Sequence, residues 1–433
     1  MQAHSGRAHS KWAASSSAAN FACPGRLRMV ADAPEDTESE AAAWGTGCHE
    51  VSEDCLQTGR DAVEHIGRFV QTKSHRIEVD EEMAETAQVY VDYVRETHLH
   101  PSRLYGADQA ELHIEQKFSL ERLNPPFEAG GTADAVIIDK YIGTIEVVDL
   151  KGGRGVVVEA KGNPQLRTYA LGALLTFRGY DVQHVKVTIV QPRAGHPDGR
   201  IRSETFHVAD LMEWAADLVD AMNRAKEAWD VYPGTSQADP SFGTPDIMTR
   251  WVRTYLRAGT HCKFCPVAGY CPALAKKAEA EAHVWFKDET GNDRRNTPDR
   301  LMPEEVARIL DHADMIGDWL NAVRAYAHNQ AESGVVVPGY VLVNKQGREA
   351  WKPDVEDRVR AVADLAGLDT EQFQNAPKLK TPKQIRKALG SDYARYVDGL
   401  SATPSAGTSL VRADKTTRPA VPSAVEQHFR VEE

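Results

Sequence analysis

Five short stretches of this chain carry side chains that could take part in hydrolysing a phosphodiester. Asp149-Leu150-Lys151 lies inside "IEVVDLKGG", and Asp134 closes "GTAD" one strand earlier. Two carboxylates brought to one sheet end suit a hard divalent cation such as Mg²⁺ or Mn²⁺, with water and phosphate oxygens completing the shell. Strand alternation puts Lys151 on the same face as Asp149, where an ammonium can position water and offset charge on the reacting phosphate. A lone Asp-x-Lys is usually a solvated charge pair, so its neighbours decide the matter. Gln165 and Tyr169 stand four apart on the next helix and share a face. His49 follows "GTGC" at the predicted start of a helix and offers an imidazole, although a histidine there is more often a cap or a surface residue. Glu115, on the first strand, is either an outer-shell carboxylate or an exposed alternate position.

A second constellation is Cys262-x₂-Cys265-x₅-Cys271 in "HCKFCPVAGYC". This spacing is too tight for disulfides but lets three thiolates converge on one metal centre, which needs a fourth ligand. Among cysteines the choices are Cys23, Cys48 and Cys55, more than 200 residues upstream.

These residues require a sheet. "ELHIEQKF", "GTADAVIID" and "GTIEVVDLKG" read as consecutive strands separated by Gly, Pro and Asn. Helical spacing from Asn163 to Gly179, with Pro164 early and Gly179 as a stop, predicts the helix of Gln165 and Tyr169. A fourth strand follows from Val185. Helices are predicted at about 48–56, 80–96, 207–231 and 246–259, and a long amphipathic helix starts at Pro303. The core is thus α, β-β-β, α, β: an α/β fold with a mixed sheet flanked by helices. The expected domains are a flexible N-terminus at 1–20, the core with its cysteines at 21–280, a mainly helical region at 281–400 and a disordered tail at 401–433. Within the C-terminal part, a hairpin-like stretch falls at 340–351 and a basic segment at 378–390.

The order of these motifs resembles the iron–sulfur nucleases of the PD-(D/E)XK superfamily, which include RecB/AddB-type nuclease domains and exonucleases of CRISPR adaptation. The resemblance spans about residues 10–280 and is strongest to an uncharacterised phage and prophage family, through "CPG", "GTGCHE", "GTADAVI" and "NPQLRTYALGAL". It implies a restriction-endonuclease-like core clamped by a four-cysteine 4Fe–4S cluster, with Cys23, Cys262, Cys265 and Cys271 as ligands. It further implies His49, Asp134 and Asp149 as ligands of Mg²⁺ or Mn²⁺, Lys151 as the catalytic lysine, and Gln165 and Tyr169 as substrate-positioning residues. Cys48 and Cys55 then become ordinary buried thiols. Three departures stand out: Asp149 replaces the commoner Glu, "GGRG" follows the lysine, and no proline motif precedes the first acid.

The expected function is a divalent-metal-dependent deoxyribonuclease, an exonuclease acting on single-stranded DNA or DNA ends in phage recombination, repair or processing. The alternative is a non-catalytic nucleic-acid-binding or scaffold protein; for the cysteines, the alternative metal is Zn²⁺. The 433-residue chain is 42% hydrophobic and 26% charged, as in ordinary soluble proteins. It shows no apolar run of membrane-spanning length and no signal-peptide core, which predicts a cytoplasmic protein with no membrane partner; the resemblance implies a phage or bacterial one. A net charge of −12 argues against a general coat for polyanions. Lys151, Arg154, Lys161 and Arg167 nevertheless predict a local basic groove for DNA. No phosphate-binding G-x-x-x-x-G-K-[ST] loop occurs, so unwinding duplex DNA would need a separate helicase, or a recombinase would supply the substrate.

Overall fold

The computed structural model describes residues 10–33, 38–106, 109–154, 156–233, 245–286 and 303–340. The chain divides into two units, Met1–Val341 and Leu342–Glu433, and all described residues belong to the first. The predicted hairpin beyond Tyr340, the basic segment at 378–390 and the tail from 401 lie outside the described residues.

The elements run β1 (Trp12–Ala13), α1 (Ser17–Ala22), α2 (Arg26–Ala31), α3 (Glu40–Thr58), β2 (Phe69–Gln71), β3 (Arg76–Glu78), α4 (Glu81–Tyr105), β4 (Ala110–Ser119), β5 (Ala129–Asp139), β6 (Thr144–Leu150), α5 (Pro164–Thr176), β7 (His184–Val190), β8 (Ile201–His207), α6 (Val208–Asp230), α7 (Pro245–Tyr255), α8 (Pro272–Phe286) and α9 (Pro303–Glu332). The large sheet is mixed. Strand β5 pairs antiparallel with β4 and β6, β6 is parallel to β7, and β7 is antiparallel to β8. Strands β2 and β3 form a separate hairpin between α3 and α4.

Alternation along the strands divides the core between two faces. Val136, Ile138, Ile145, Val147, Val187 and Ile189 meet α5 and α6 on one face. Ala135, Ile137, Val148, Leu150 and Val190 meet α3 and α4 on the other. The result is a mixed sheet flanked by helices, followed by the helical α8 and α9. No described helix is long and apolar enough to cross a membrane.

Three expectations change. Residues 10–20, expected to be loose, are held in place: Trp12 is fully buried, and β1 pairs in parallel with Ala129 and Gly130 of β5. A single bulky residue in a small, polar window gives no period to read. Helix α3 begins at Glu40, capped by the Ser39 hydroxyl accepting the Ala42 N–H, so His49 is mid-helix rather than at a helix start. Gly45 and Gly47 had hidden its first turns. Strand β8 and the β2–β3 hairpin were not foreseen.

Candidate metal centre

The acids singled out in the sequence fall on one row across three strands. In the β4–β5 ladder Ile114 pairs with Ala135 and Gln116 with Ala133, so Glu115 stands opposite Asp134. In the β5–β6 ladder Ala135 pairs with Val148, and the next position sets Asp134 against Asp149. Residues opposite one another in a ladder share a face. The β5–β6 pairing ends there, and Asp134 Oδ2 accepts the Leu150 N–H at 2.7 Å. Strand β5 pairs with β1 only at residues 129–130, so residues 131–134 have no ladder partner on the side facing β1 and β6.

Glu115 has φ +50, a left-handed conformation that a residue with a Cβ adopts at a cost of roughly 1–2 kcal/mol. Such strain, persisting within a row of acids, points to function rather than to folding.

Helix α3 brings His49 to this row, its Nδ1 3.3 Å from Asp134 Oδ1. His49, Glu115 and Asp134 each offer a ligand atom within 4.8 Å of the other two. Among the described residues this is the one group of three His, Cys, Asp or Glu side chains that converges so closely. One imidazole nitrogen and two carboxylates form a donor set suited to Mn²⁺ or Mg²⁺. The expected ligand trio was His49, Asp134 and Asp149; the close-set trio in the structure is His49, Asp134 and Glu115. Asp149 is turned instead toward Lys151 and α5.

That second half of the site is a closed polar circuit. Lys151 Nζ lies 2.9 Å from Asp149 Oδ2 and donates to Gln165 Oε1 at 3.2 Å. Gln165 Nε2 donates to Asp149 Oδ1 at 3.1 Å and to the Tyr169 hydroxyl at 3.2 Å. Gln165 is aimed by the first turn of α5, where Asn163 caps the Gln165 and Leu166 N–H groups and Pro164 opens the helix. Tyr169 lies against Gly131 of "GTAD", where a Cβ would approach its ring to 2.9 Å, so the glycine is required for that contact. Asp149 is 2% exposed, and its Oδ2, though beside Lys151, receives no well-aligned hydrogen bond.

The charges answer to one another. Burial disfavours the His49 imidazolium, but the Asp134 carboxylate, its hydrogen bond and the more distant Glu115 and Asp149 outweigh it and push the pKa up to about 9. Burial likewise opposes ionisation of Asp134, yet His49 and the Leu150 N–H hold it below the usual carboxylate range. Burial, with the like charge of Asp134, raises Asp149 in spite of Lys151. Burial would lower Lys151, but Asp149 more than compensates and keeps it an ammonium. Burial also pushes Cys48, next to His49, up to about 12, so it is an unreactive thiol.

The cysteines lie elsewhere. Cys23, at the end of α1, is brought to the segment after α7, although 239 residues separate it from Cys262. Its sulfur accepts the Arg257 N–H at 3.4 Å, and the Gly25 N–H donates to Tyr255 O at 2.9 Å. Cys23 shares an apolar group with Trp251, Leu256 and Cys271, and Cys271 shares a second with Cys262, Cys265 and Leu274. Cys262 Sγ accepts the Gly259 N–H at 3.4 Å. Cys48 and Cys55 are buried on α3 against the other face of the sheet.

The expected basic groove is largely neutralised. Arg154 pairs with Glu82, Arg167 with Glu204 at 3.1 Å, and Lys151 with Asp149. Two side chains that had drawn no attention, Trp44 of α3 and Arg193 after β7, meet at Gly152, directly after the lysine. Only their meeting in space marks them.

A solved structure described as "Crystal structure of SSO0001" is similar at 16% sequence identity, covering 59% of this chain and 96% of that one, with a TM-score of 0.18, too low to carry an argument. The model of a family described as "Protein of unknown function (DUF2800)" matches residues 9–418. With nearly its whole length matched, this chain belongs to the DUF2800 family.

Proposed function

We propose that the protein is a divalent-metal-dependent deoxyribonuclease with a PD-(D/E)XK-type, restriction-endonuclease-like core. The observation that carries this reading is the row Glu115–Asp134–Asp149 across β4, β5 and β6, joined by His49 on one side and by Lys151 and Gln165 on the other. His49, Glu115 and Asp134 would hold Mg²⁺ or Mn²⁺, which when bound supplies Lewis acidity toward water and phosphate oxygens. Asp149 keeps Lys151 charged and in place. The Lys151 ammonium offsets negative charge that builds on the phosphate as water attacks. Gln165, braced by Tyr169 one turn further along α5, ties Asp149 and Lys151 to that helix, so the lysine need not reorganise during the reaction.

Cys23, Cys262, Cys265 and Cys271 would form a structural clamp holding the N-terminal segment to the end of the core. The occupant would be a 4Fe–4S cluster; Zn²⁺ is the alternative. Brown colour and broad visible absorbance in anaerobically purified protein would separate the two. We place the activity in phage or bacterial DNA recombination, repair or processing, with a separate helicase opening any duplex. The test is cleavage of end-labelled single- and double-stranded DNA with Mg²⁺ or Mn²⁺. Wild type should cleave, and Lys151→Ala should lose about 100-fold or more. DNA binding in Ca²⁺ with no cleavage in either activating metal would favour the non-catalytic alternative.

A further inference from the structure

The loop from Gly152 to Asn163 separates Lys151 from Gln165, the two residues whose side chains must meet. Its described residues join no ladder, and the segment leaving β7 supplies several of its partners. The Lys151 N–H donates to Val190 O at 2.9 Å. Gln191, 1% exposed, donates to Val156 O at 2.7 Å and accepts the Val158 N–H at 3.0 Å. Arg193 Nη1 donates to Gly152 O at 2.9 Å, gripping the peptide directly after the lysine.

Arg193 is itself seated. Its guanidinium lies 3.7 Å from the centre of the Trp44 ring, and its Nε is 3.3 Å from Glu82 of α4. Trp44 approaches the loop closely only because residue 152 is glycine: a Cβ there would meet the Trp44 ring at 3.2 Å and Cys48 at 3.6 Å. Trp44 stands on α3, the helix of His49. One planar cation therefore joins the helix bearing the imidazole to the strand end bearing the lysine. Its side chain is 15% exposed, and the carboxylate it faces is Glu82 rather than an acid of the metal group.

We propose that Arg193, seated on Trp44, is a positioning residue that sets the Lys151 half of the site against the His49 half. This rests on reading the site as a phosphodiesterase. A guanidinium can stack on an indole, donate to a carbonyl and face a carboxylate at once, which an ammonium does less well.

The test uses the full-length chain and four variants: Arg193→Gln, Arg193→Lys, Trp44→Phe and the Trp44→Ala/Arg193→Gln double. Measured are kcat and KM on labelled single-stranded DNA, Mn²⁺ affinity, melting temperature and amide exchange of peptides spanning 150–160 and 40–58. Arg193→Gln should lower kcat about 10- to 100-fold, as a misplaced lysine would, while KM and Mn²⁺ affinity stay within about threefold. Arg193→Lys should recover part of the loss and Trp44→Phe most of the activity. The double variant should be little worse than Arg193→Gln alone. The proposal is overturned if Arg193→Gln keeps kcat within about twofold, or if kcat, metal affinity and melting temperature all fall together while KM rises. Should wild type cleave no DNA, the nuclease reading fails, yet exchange still decides this point. Arg193→Gln must then speed exchange at 150–160 and spare 40–58, and unchanged exchange at 150–160 would overturn it.

Discussion

Replacing Glu115 with glycine and with alanine tests whether its backbone is strained for the sake of a carboxylate. Both variants delete the same acid, so they share its electrostatic consequences and differ only in a Cβ. At φ +50 that Cβ costs roughly 1–2 kcal/mol, which glycine avoids. Against this, glycine loses more freedom on folding, about 0.5–1 kcal/mol relative to alanine. The glycine variant should therefore be the more stable by about 0.5–1 kcal/mol in EDTA, or about 1–3 °C in melting temperature for a unit of this size. Were Glu115 in ordinary extended conformation, the order would reverse, with alanine ahead by about 0.5–1 kcal/mol. Added Mn²⁺ supplies the second reading. At about 100 times its dissociation constant a ligand stabilises the folded state by about 2.7 kcal/mol, and a site weakened 100-fold gains only about 0.4 kcal/mol. Both variants should lose most of the Mn²⁺ stabilisation that wild type shows. Alanine more stable than glycine would refute the left-handed backbone. Full Mn²⁺ stabilisation of either variant would refute Glu115 as a ligand.

Three further outcomes follow from the same geometry. His49, with its pKa pushed up to about 9, must shed its proton to ligate, so Mn²⁺ binding at pH 7 should release about one proton and tighten about tenfold per pH unit up to about pH 9. In the metal-free protein, the stability from the His49–Asp134 pair should be full below the ordinary histidine range and fade as pH rises toward 9; calorimetry in buffers of different ionisation enthalpy, and melting curves against pH, read the two effects. Cys23→Ser and Cys262→Ser should lose bound metal and melting temperature alike, whereas Cys55→Ala should cost only about 1 kcal/mol, and Cys48 and Cys55, with thiols raised by burial to about 12 and 11, should resist alkylation until unfolding. Affinity for single-stranded DNA should fall only gently with salt, because Arg154 and Arg167 are already paired; Glu204→Gln, which frees Arg167, should steepen the logarithmic slope by about 0.7, and no change would show that Arg167 does not reach the backbone.

Much of this was legible in the residues, and the limits have physical causes. The three strands and the helix after them announce themselves through β-branched runs and an Asn-Pro helix start, so the meeting of Asp149, Lys151, Gln165 and Tyr169 could be anticipated. Local spacing fixes which side chains share a face. Register between strands it leaves open, so the sequence leaves Glu115 as either an outer-shell carboxylate or an exposed alternate position, and its positive φ leaves no mark there at all. The basic groove was misjudged for the same reason. Arg154 finds Glu82 from 72 positions away and Arg167 finds Glu204 from 37, pairings that no window along the chain reveals. Cys23 could be matched to the distant cysteine cluster only through the resemblance, since Cys48 and Cys55 satisfied the spacing as well.

The central claim is that the cation held by His49, Glu115 and Asp134 is the one that DNA cleavage requires. Cleavage rate on end-labelled single-stranded DNA, titrated with Mn²⁺ in wild type and Glu115→Gln, tests it most directly. Half-maximal rate in wild type should coincide with the Mn²⁺ dissociation constant measured without DNA. In Glu115→Gln both should move together to at least about tenfold higher concentration, with EDTA abolishing cleavage throughout. Cleavage that persists in EDTA, or a rate profile indifferent to Glu115→Gln while Mn²⁺ binding weakens, would contradict the account.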